Sequence, residues 1–268
     1  MKQREPLQTI IDPFIKSCGG ELVADLLEKK SNLPQNADYL FRRPGVVAEL
    51  KALEDDSFGE PFRKKMGALA GSWHRRGLLM VYGTRRIDLD KLPPICQQEA
   101  LDLIGKPLQN NILAKANQQI RATKEFLKAP DARGLLMVAS DGNEDLPPDA
   151  VLFFLARLLR KQHPDGRPQF SNIHSLVYFN PRMPALVPAT GQPALLWATV
   201  LRHTEDQEMV GFLNALGGAF QGYMERTMGL PFPEVELEAA QHRNLKFAGV
   251  SPRMPRIQVT DSPAKKEN

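Results

Sequence analysis

The spacing of apolar residues predicts a chain in which helices and strands alternate. Between Leu7 and Lys30 apolar residues recur at helical spacing, and Gly19-Gly20 predicts a break into two helices. Two β-rich runs follow at 37–41 and 46–53, joined by Arg-Arg-Pro-Gly. Proline fixes one backbone angle and glycine accepts a positive one, so this link predicts the turn of a β-hairpin.

The rest of the chain continues the alternation, which is typical of α/β architecture. The segment Arg-Gly-Leu-Leu-Met-Val occurs at 76–81 and again at 133–138, but its ordinary buried-strand composition favours coincidence over duplication. Prolines and lysines near the end predict a disordered tail over 251–268. Helices are predicted at 62–73, 111–128, 151–161 and 205–228, and strands at 77–82, 134–139, 173–179 and 194–201.

Composition bounds the class of protein. The 268 residues are 42% hydrophobic and 25% charged, without an apolar run long enough to span a bilayer and without a signal-peptide core. Two distant cysteines, Cys18 and Cys96, suit a reducing compartment and exclude a disulfide framework. We therefore expect a cytoplasmic globular protein with no membrane partner.

The balance of charge permits a nucleic-acid partner without requiring one, since the net charge is +4 and the pI is near 9.0. Several basic clusters on one face would attract a phosphate backbone. Taken singly, each is an ordinary solvated surface. The clusters are Arg42-Arg43, Arg63-Lys64-Lys65, Arg75-Arg76, Arg85-Arg86 and Arg160-Lys161.

The second strand of the predicted hairpin carries charged residues in its middle. Side chains alternate faces along a strand, so Val47, Glu49 and Lys51 share one face, and the small apolar residues between them share the other. The turn brings Asp38 to the same end of the sheet. A bare Glu-x-Lys carries little weight, because Glu28–Lys30 is another. The informative pattern is the acid, the turn and the apolar strand taken together.

Two acids beside a lysine suit the hydrolysis of a phosphodiester. The phosphodiester is an anion, and one or two Mg²⁺ ions held by carboxylates neutralise its charge and lower the pKa of a bound water. Mg²⁺ prefers oxygen ligands, so Asp38, Glu49 and the backbone carbonyl of Leu50 would suffice. Lys51 would orient or deprotonate the attacking water and counter charge in the transition state. The alternative is a surface acid beside an ion pair that contributes under about 1 kcal/mol.

The hairpin sequence resembles the PD-(D/E)XK, or restriction-endonuclease-like, nuclease superfamily. It reads Asn-Ala-Asp-Tyr-Leu-Phe, then the turn, then Val-Val-Ala-Glu-Leu-Lys-Ala-Leu. Asp38 matches the first acid of the superfamily, Glu49 the second acid and Lys51 the lysine. Ala37 stands where the superfamily's proline is expected, and the resemblance covers about a third of the chain.

The resemblance implies an α/β fold with a restriction-endonuclease-like core, made of a helix, the acid-bearing β-hairpin, a helix and a strand. The last two elements would be 111–128 and 134–139. Residues 54–110 would then be an insertion within a single nuclease-like domain over 1–250, which also carries additional C-terminal strands and a helix.

The resemblance also implies further site residues. Some members of the superfamily carry a glutamine-led motif on the helix after the hairpin, and Gln119, next to Gln118, joins the catalytic residues on that ground. Lys115 and Lys124 flank it. Many members carry a helical glutamate before the hairpin, a role that Glu21 or Glu28 could fill.

These observations predict a Mg²⁺-dependent nuclease, with Mn²⁺ as a substitute ion, most simply a DNA endonuclease of defence or accessory type. DNA is expected over RNA as the partner. One rival is a nucleic-acid-binding or assembly protein that kept the fold without turnover; the intact trio argues against it. Another is a scaffold in which the helix over 205–228 mediates oligomerisation.

A homodimer is expected because cutting both strands of a duplex with one site per chain needs two chains or two visits. The final helix could supply the contact through an apolar stripe, and packing on its own sheet is the alternative. The stripe consists of Met209, Phe212, Leu213, Leu216, Phe220 and Tyr223.

Other chemistries lack their motifs. The chain contains neither a G-x-x-x-x-G-K-[ST] loop, nor a G-x-G-x-x-G fingerprint, nor a G-x-S-x-G elbow. Its five histidines are scattered without metal-ligand spacing. Nucleotide cofactors and serine-hydrolase chemistry therefore receive no support from the sequence.

Overall fold

The structure of the chain is a computed structural model, and within its described residues the protein is an α/β fold built on a six-stranded mixed sheet. The α/β class predicted from the alternation of elements is confirmed. The described residues are 5–27, 36–53, 59–80, 84–141, 146, 148–182, 185–186, 193–203, 205–232, 246–247 and 256–260.

The helices and strands follow the apolar pattern with shifted ends. None of the described helices is long and apolar enough to cross a membrane. The helices are α1 (Leu7–Ser17), α2 (Val23–Leu27), α3 (Glu60–Arg75), α4 (Pro94–Pro107), α5 (Lys115–Leu127), α6 (Pro148–Leu159) and α7 (Gln207–Met228). The strands are β1 (Glu21–Leu22), β2 (Tyr39–Phe41), β3 (Val46–Leu53), β4 (Thr84–Asp88), β5 (Arg133–Ser140), β6 (Ser175–Phe179), β7 (Ala185–Leu186), β8 (Pro193–Ala194), β9 (Trp197–Leu201), β10 (Lys246–Phe247) and β11 (Arg256–Thr260).

The main sheet has the strand order β1-β2-β3-β5-β6-β9. β2 and β3 form the predicted antiparallel hairpin, and Gly45 in its turn has a φ of 77°, a conformation that glycine adopts without strain. β5 pairs with β3 in parallel over the whole length of both strands, and β6 extends the parallel part. β9 closes the far edge in the antiparallel direction. The long β3–β5 pairing is the centre of the sheet.

Helices cover both faces of this sheet, because β3 and β5 are apolar on both sides. One hydrophobic core contains buried side chains of α3, α4, α5 and α6, with Trp73 and Phe154 among the largest. The other contains buried side chains of α1 and α7. Strands buried on both faces read as nearly continuous apolar runs, which β5 shows in Gly-Leu-Leu-Met-Val-Ala.

Three elements differ from their predictions. Residues 77–80 are not in a strand, whereas their counterparts 134–137 in the repeated segment belong to β5, and residues 81–83 lie outside the described residues. The helix predicted over 111–128 begins at Lys115 and follows a π-helical segment, Leu108–Ala114, that continues from α4. The strand predicted over 194–201 is divided into β8 and β9.

The end of the chain also differs from the prediction of a disordered tail. Arg256–Thr260 forms β11, which pairs antiparallel with β4 of the predicted insertion, and the rest of 251–268 lies outside the described residues. Arg-Ile-Gln-Val-Thr alternates polar and apolar residues, which is the pattern of a strand. The prolines that precede this segment favoured the prediction of a disordered tail over the prediction of a strand.

The apolar stripe of α7 packs within its own domain, so the contact predicted for a homodimer is already occupied. Met209, Leu213, Leu216 and Phe220 are at most 3% exposed, and Phe212 and Tyr223 are partly buried against the same core. The ring of Phe14 on α1 lies 5.3 Å from that of Phe220. The stripe therefore holds α7 on the sheet beside α1.

His174 anchors the beginning of β5 while half-buried in its neutral form. The Gly134 amide donates to His174 Nδ1 at 2.9 Å, and since an amide can only donate, Nδ1 accepts in this bond. The Asn172 carbonyl oxygen lies farther from the same nitrogen, at 3.3 Å, and would accept from it in the other tautomer. Burial and the nearby Lys124 ammonium lower the pKa of His174 from 6.5 to about 4. The neutral ring is thus required where the central strand starts.

This histidine makes the fold sensitive to acid. Because its pKa is lowered on folding, its contribution is present above pH 6.5 and is lost as the pH falls towards 4. We expect His174→Asn, which keeps an acceptor near Nδ1 but does not titrate, to lose less stability than the wild type between these pH values. Chemical denaturation at several pH values measures this, with the exposed His163→Asn as the control. An equal loss in His174→Asn and wild type would contradict the assignment.

Candidate active site

The hairpin places the first predicted acid beside the middle of β3. Tyr39 lies opposite Ala48 and Leu40 opposite Val47, so one further step along the ladder sets Asp38 against Glu49. The Leu50 amide donates to Asp38 Oδ2 at 2.8 Å, which fixes the carboxylate at the point where β2 begins. The backbone hydrogen bonding between β2 and β3 therefore ends here, and the Asp38 side chain accepts from the Leu50 amide in place of a backbone carbonyl.

The second acid and the lysine lie on the face of β3 that α5 covers, as strand alternation predicts. Glu49 is 1% exposed, and the side chain of Lys51 is 18% exposed. Their neighbours on the other face, Ala48 and Leu50, belong to the core beneath α1 and α7. A carboxylate is almost never buried to this degree without a partner.

Lys51 is the partner, and it joins β3 to α5. Its Nζ donates to Glu49 Oε1 at 2.5 Å and to Gln119 Oε1 at 2.6 Å. Gln119 in turn donates from Nε2 to the carbonyl oxygen of Asn36 at 3.1 Å. The structure thus brings together Asp38, Glu49, Lys51 and Gln119, the four residues that the sequence nominated as catalytic.

The two acids lie at neighbouring positions across the hairpin, and their interaction changes the protonation of both. Burial, reinforced by the charge of Asp38, raises the pKa of Glu49 to about 8, although Lys51 opposes the shift. Burial likewise raises the pKa of Asp38, against the Leu50 amide and Lys51. Two neighbouring carboxylates favour a positive group between them, which is either a proton or a cation.

The donor set fits a divalent cation. Glu49 Oε2 is buried and has no hydrogen-bond donor among the described residues. The amide and carbonyl of one strand residue point to the same side, so the Leu50 carbonyl faces Asp38 as its amide does. Two carboxylates and a carbonyl supply the oxygens that Mg²⁺ prefers. The described residues contain no group of three or more His, Cys, Asp or Glu side chains that could hold a metal. The present set differs from such a group, because it has two carboxylates and takes its third oxygen from the backbone.

The sequence reasoning missed Asp12, an acid on α1. Asp12 Oδ1 accepts from the Tyr39 hydroxyl at 2.9 Å, and its charge contributes to the raised pKa of Asp38. The only sequence signal for it is an acid within the first helix, next to the buried Ile11. Its proximity to Asp38 depends on the packing of α1 under the sheet.

Glu21, one of the two glutamates nominated for a helical role, is not in the site. Glu21 lies on β1 rather than on a helix, and the Arg42 guanidinium holds both its carboxylate oxygens. Glu28 lies outside the described residues. Gln118 is exposed, whereas Gln119 is 7% exposed, so only the second glutamine faces the sheet.

Compared with protein-family models, curated proteins and solved structures, the chain matches none of them.

The raised pKa of Glu49 can be tested in the metal-free protein. The pKa of Glu49 rises from 4.5 to about 8 on folding, so stability falls as the pH rises between these values. We expect Glu49→Gln to flatten this fall and to stabilise the protein at the alkaline end by roughly 1–4 kcal/mol. Denaturation in EDTA across this pH range measures it.

Glu125→Gln is the matched control, because Glu125 is largely exposed on α5 and pairs at the surface with Arg121. We expect this control to follow the wild type at every pH. If Glu49→Gln destabilised the protein throughout the range, Glu49 would be an ionised partner of Lys51 and the acids would not be in competition.

Proposed function

We propose that the protein is a Mg²⁺-dependent nuclease that hydrolyses phosphodiester bonds, with DNA as its substrate. The observation that carries the proposal is the buried Glu49 beside the half-buried Asp38, with one orphaned carboxylate oxygen on Glu49 and with Lys51 next to it. Burial of a carboxylate oxygen without a hydrogen-bond donor destabilises the fold, and a bound cation would offset this destabilisation. Strongly perturbed carboxyl pKa values are also typical of catalytic sites.

The order of elements supports a restriction-endonuclease-like core. α1 precedes the antiparallel strands β1, β2 and β3, and α5 then leads to β5, which lies parallel to β3. The acids and lysine lie on the hairpin, and Gln119 lies on the helix that crosses to β5. α3, β4 and α4 lie between β3 and α5, as an insertion would.

Each residue has a role that follows from its contacts. Asp38, Glu49 and the Leu50 carbonyl would hold the ion, which when bound supplies positive charge against the phosphodiester anion. Lys51 has three N–H donors, of which Glu49 and Gln119 accept two, so the third can hold a water or a phosphate oxygen. Gln119 fixes the direction of the ammonium, which an unsupported lysine side chain would not keep.

The surface supports a nucleic-acid substrate. Arg63, Lys64 and Lys65 are exposed on α3, and Arg160 and Lys161 are exposed after α6. Exposed cations of this kind bind phosphates through counterion release, so binding should weaken as salt rises. The side chains of the predicted pair Arg85-Arg86 lie outside the described residues.

The direct test incubates the protein with supercoiled plasmid, linear duplex and single-stranded DNA, each with Mg²⁺, Mn²⁺ or EDTA. We expect cleavage with either ion and none with EDTA. Cleavage of RNA alone would change the substrate. Binding of DNA without cleavage under every condition would favour a protein that keeps the fold for binding or assembly.

Replacement of the lysine tests the mechanism. We expect Lys51→Ala to lower turnover about 100-fold or more while leaving DNA affinity close to that of the wild type, because the ammonium acts on the transition state. Single-turnover cleavage and equilibrium binding, measured on the same DNA, separate the two effects.

The control is Lys16→Ala, which removes an exposed lysine of α1 whose ammonium lies 3.6 Å from the Asp25 carboxylate. We expect it to leave turnover unchanged at saturating DNA. Equal losses of turnover and affinity in Lys51→Ala would make Lys51 an anchor for a phosphate instead.

A further inference from the structure

The segment that carries Asp38 is attached to α5 by two consecutive backbone groups. Gln119 Nε2 donates to the Asn36 carbonyl at 3.1 Å, and the Ala37 amide donates to Thr123 Oγ1 at 2.8 Å. Gln119 and Thr123 are one helical turn apart, so they project from the same side of α5. Asp38 follows Ala37 directly in the chain, so no residue separates it from these two hydrogen bonds.

Thr123 is fully buried, and its hydroxyl oxygen accepts a hydrogen bond from outside its own helix. The donor is the amide of Ala37, which lies 86 positions away in the sequence and two residues before β2. On its other side, the Asp38 carbonyl accepts from the Val23 amide at 2.9 Å. The backbone around Asp38 is thus held from both directions.

We propose that Thr123 is a positioning residue for the metal site, which sets the place of the Asp38 carboxylate relative to Glu49. The inference rests on the proposed function. Gln119 reaches both halves of the site, since it holds Lys51 on β3 and the Asn36 carbonyl before β2. Among the described residues, the printed contact of the Thr123 hydroxyl is with the segment before Asp38. Loss of this hydroxyl would therefore leave the contacts of Lys51 in place and loosen the backbone next to Asp38.

The test is the affinity for Mn²⁺, measured by calorimetry and by the paramagnetic resonance of free Mn²⁺, on the full chain. Thr123→Val keeps the volume of the side chain and removes the acceptor. We expect it to weaken Mn²⁺ binding roughly tenfold, as loss of groups that orient metal ligands commonly does. Thr123→Ser keeps the hydroxyl and should restore the wild-type affinity.

A purely structural role would give a different result. The control is Ile120→Val on the same helix, since Ile120 is fully buried in the core and its hydrocarbon side chain can make no hydrogen bond to the site. It should lower the melting temperature, as Thr123→Val should, yet leave Mn²⁺ affinity unchanged. The proposal is overturned if Thr123→Val binds Mn²⁺ as the wild type does, or if Ile120→Val weakens binding equally.

Cleavage distinguishes failure of this inference from failure of the proposed function. If the wild type binds Mn²⁺ but cuts no nucleic acid, the nuclease proposal fails, and weaker binding by Thr123→Val still supports the positioning role. If the wild type cleaves and Thr123→Val needs no more Mg²⁺ for half-maximal cleavage, the positioning role fails alone. A wild type that binds no Mn²⁺ overturns both.

Discussion

The burial of the Glu49 carboxylate in the middle of β3 is the constraint to which the surrounding structure responds. A carboxylate that is 1% exposed cannot stay ionised among apolar side chains without a partner. Lys51, two residues along the same face, offsets the negative charge of Glu49. Asp38 then adds a second carboxylate, so the negative charges outnumber the positive one. The site therefore contains one more negative group than its lysine can satisfy, which is a stable arrangement only with a proton or a cation present.

Helix α5 joins the two halves of this site to the centre of the sheet. It packs on the face of β3 that carries Glu49 and then leads into β5, which pairs with β3 along its whole length. The same helix therefore contributes to the core and to the site through residues one turn apart. The site is therefore positioned by the β3–β5 pairing, and His174 anchors the start of that pairing.

Local pattern was sufficient for the hairpin and for the face shared by Glu49 and Lys51, because turn chemistry and strand alternation act over a few residues. It was not sufficient for Asp12 or Thr123, whose roles depend on how α1 and α5 pack against the sheet. The apolar stripe of α7 was ambiguous for a related reason, since a helix face looks the same whether it meets its own sheet or another chain. Its packing beneath the sheet settles which surface it meets.

Anomalous diffraction from crystals grown with Mn²⁺ tests most directly whether the two acids form a metal site. The account predicts an anomalous peak within about 2–2.5 Å of a carboxylate oxygen of Asp38, Oε2 of Glu49 and the carbonyl oxygen of Leu50. Lys51 should remain bonded to Gln119 beside it. Asp38 and Glu49 in direct contact, with a peak elsewhere or none, would show that a proton rather than a metal bridges them.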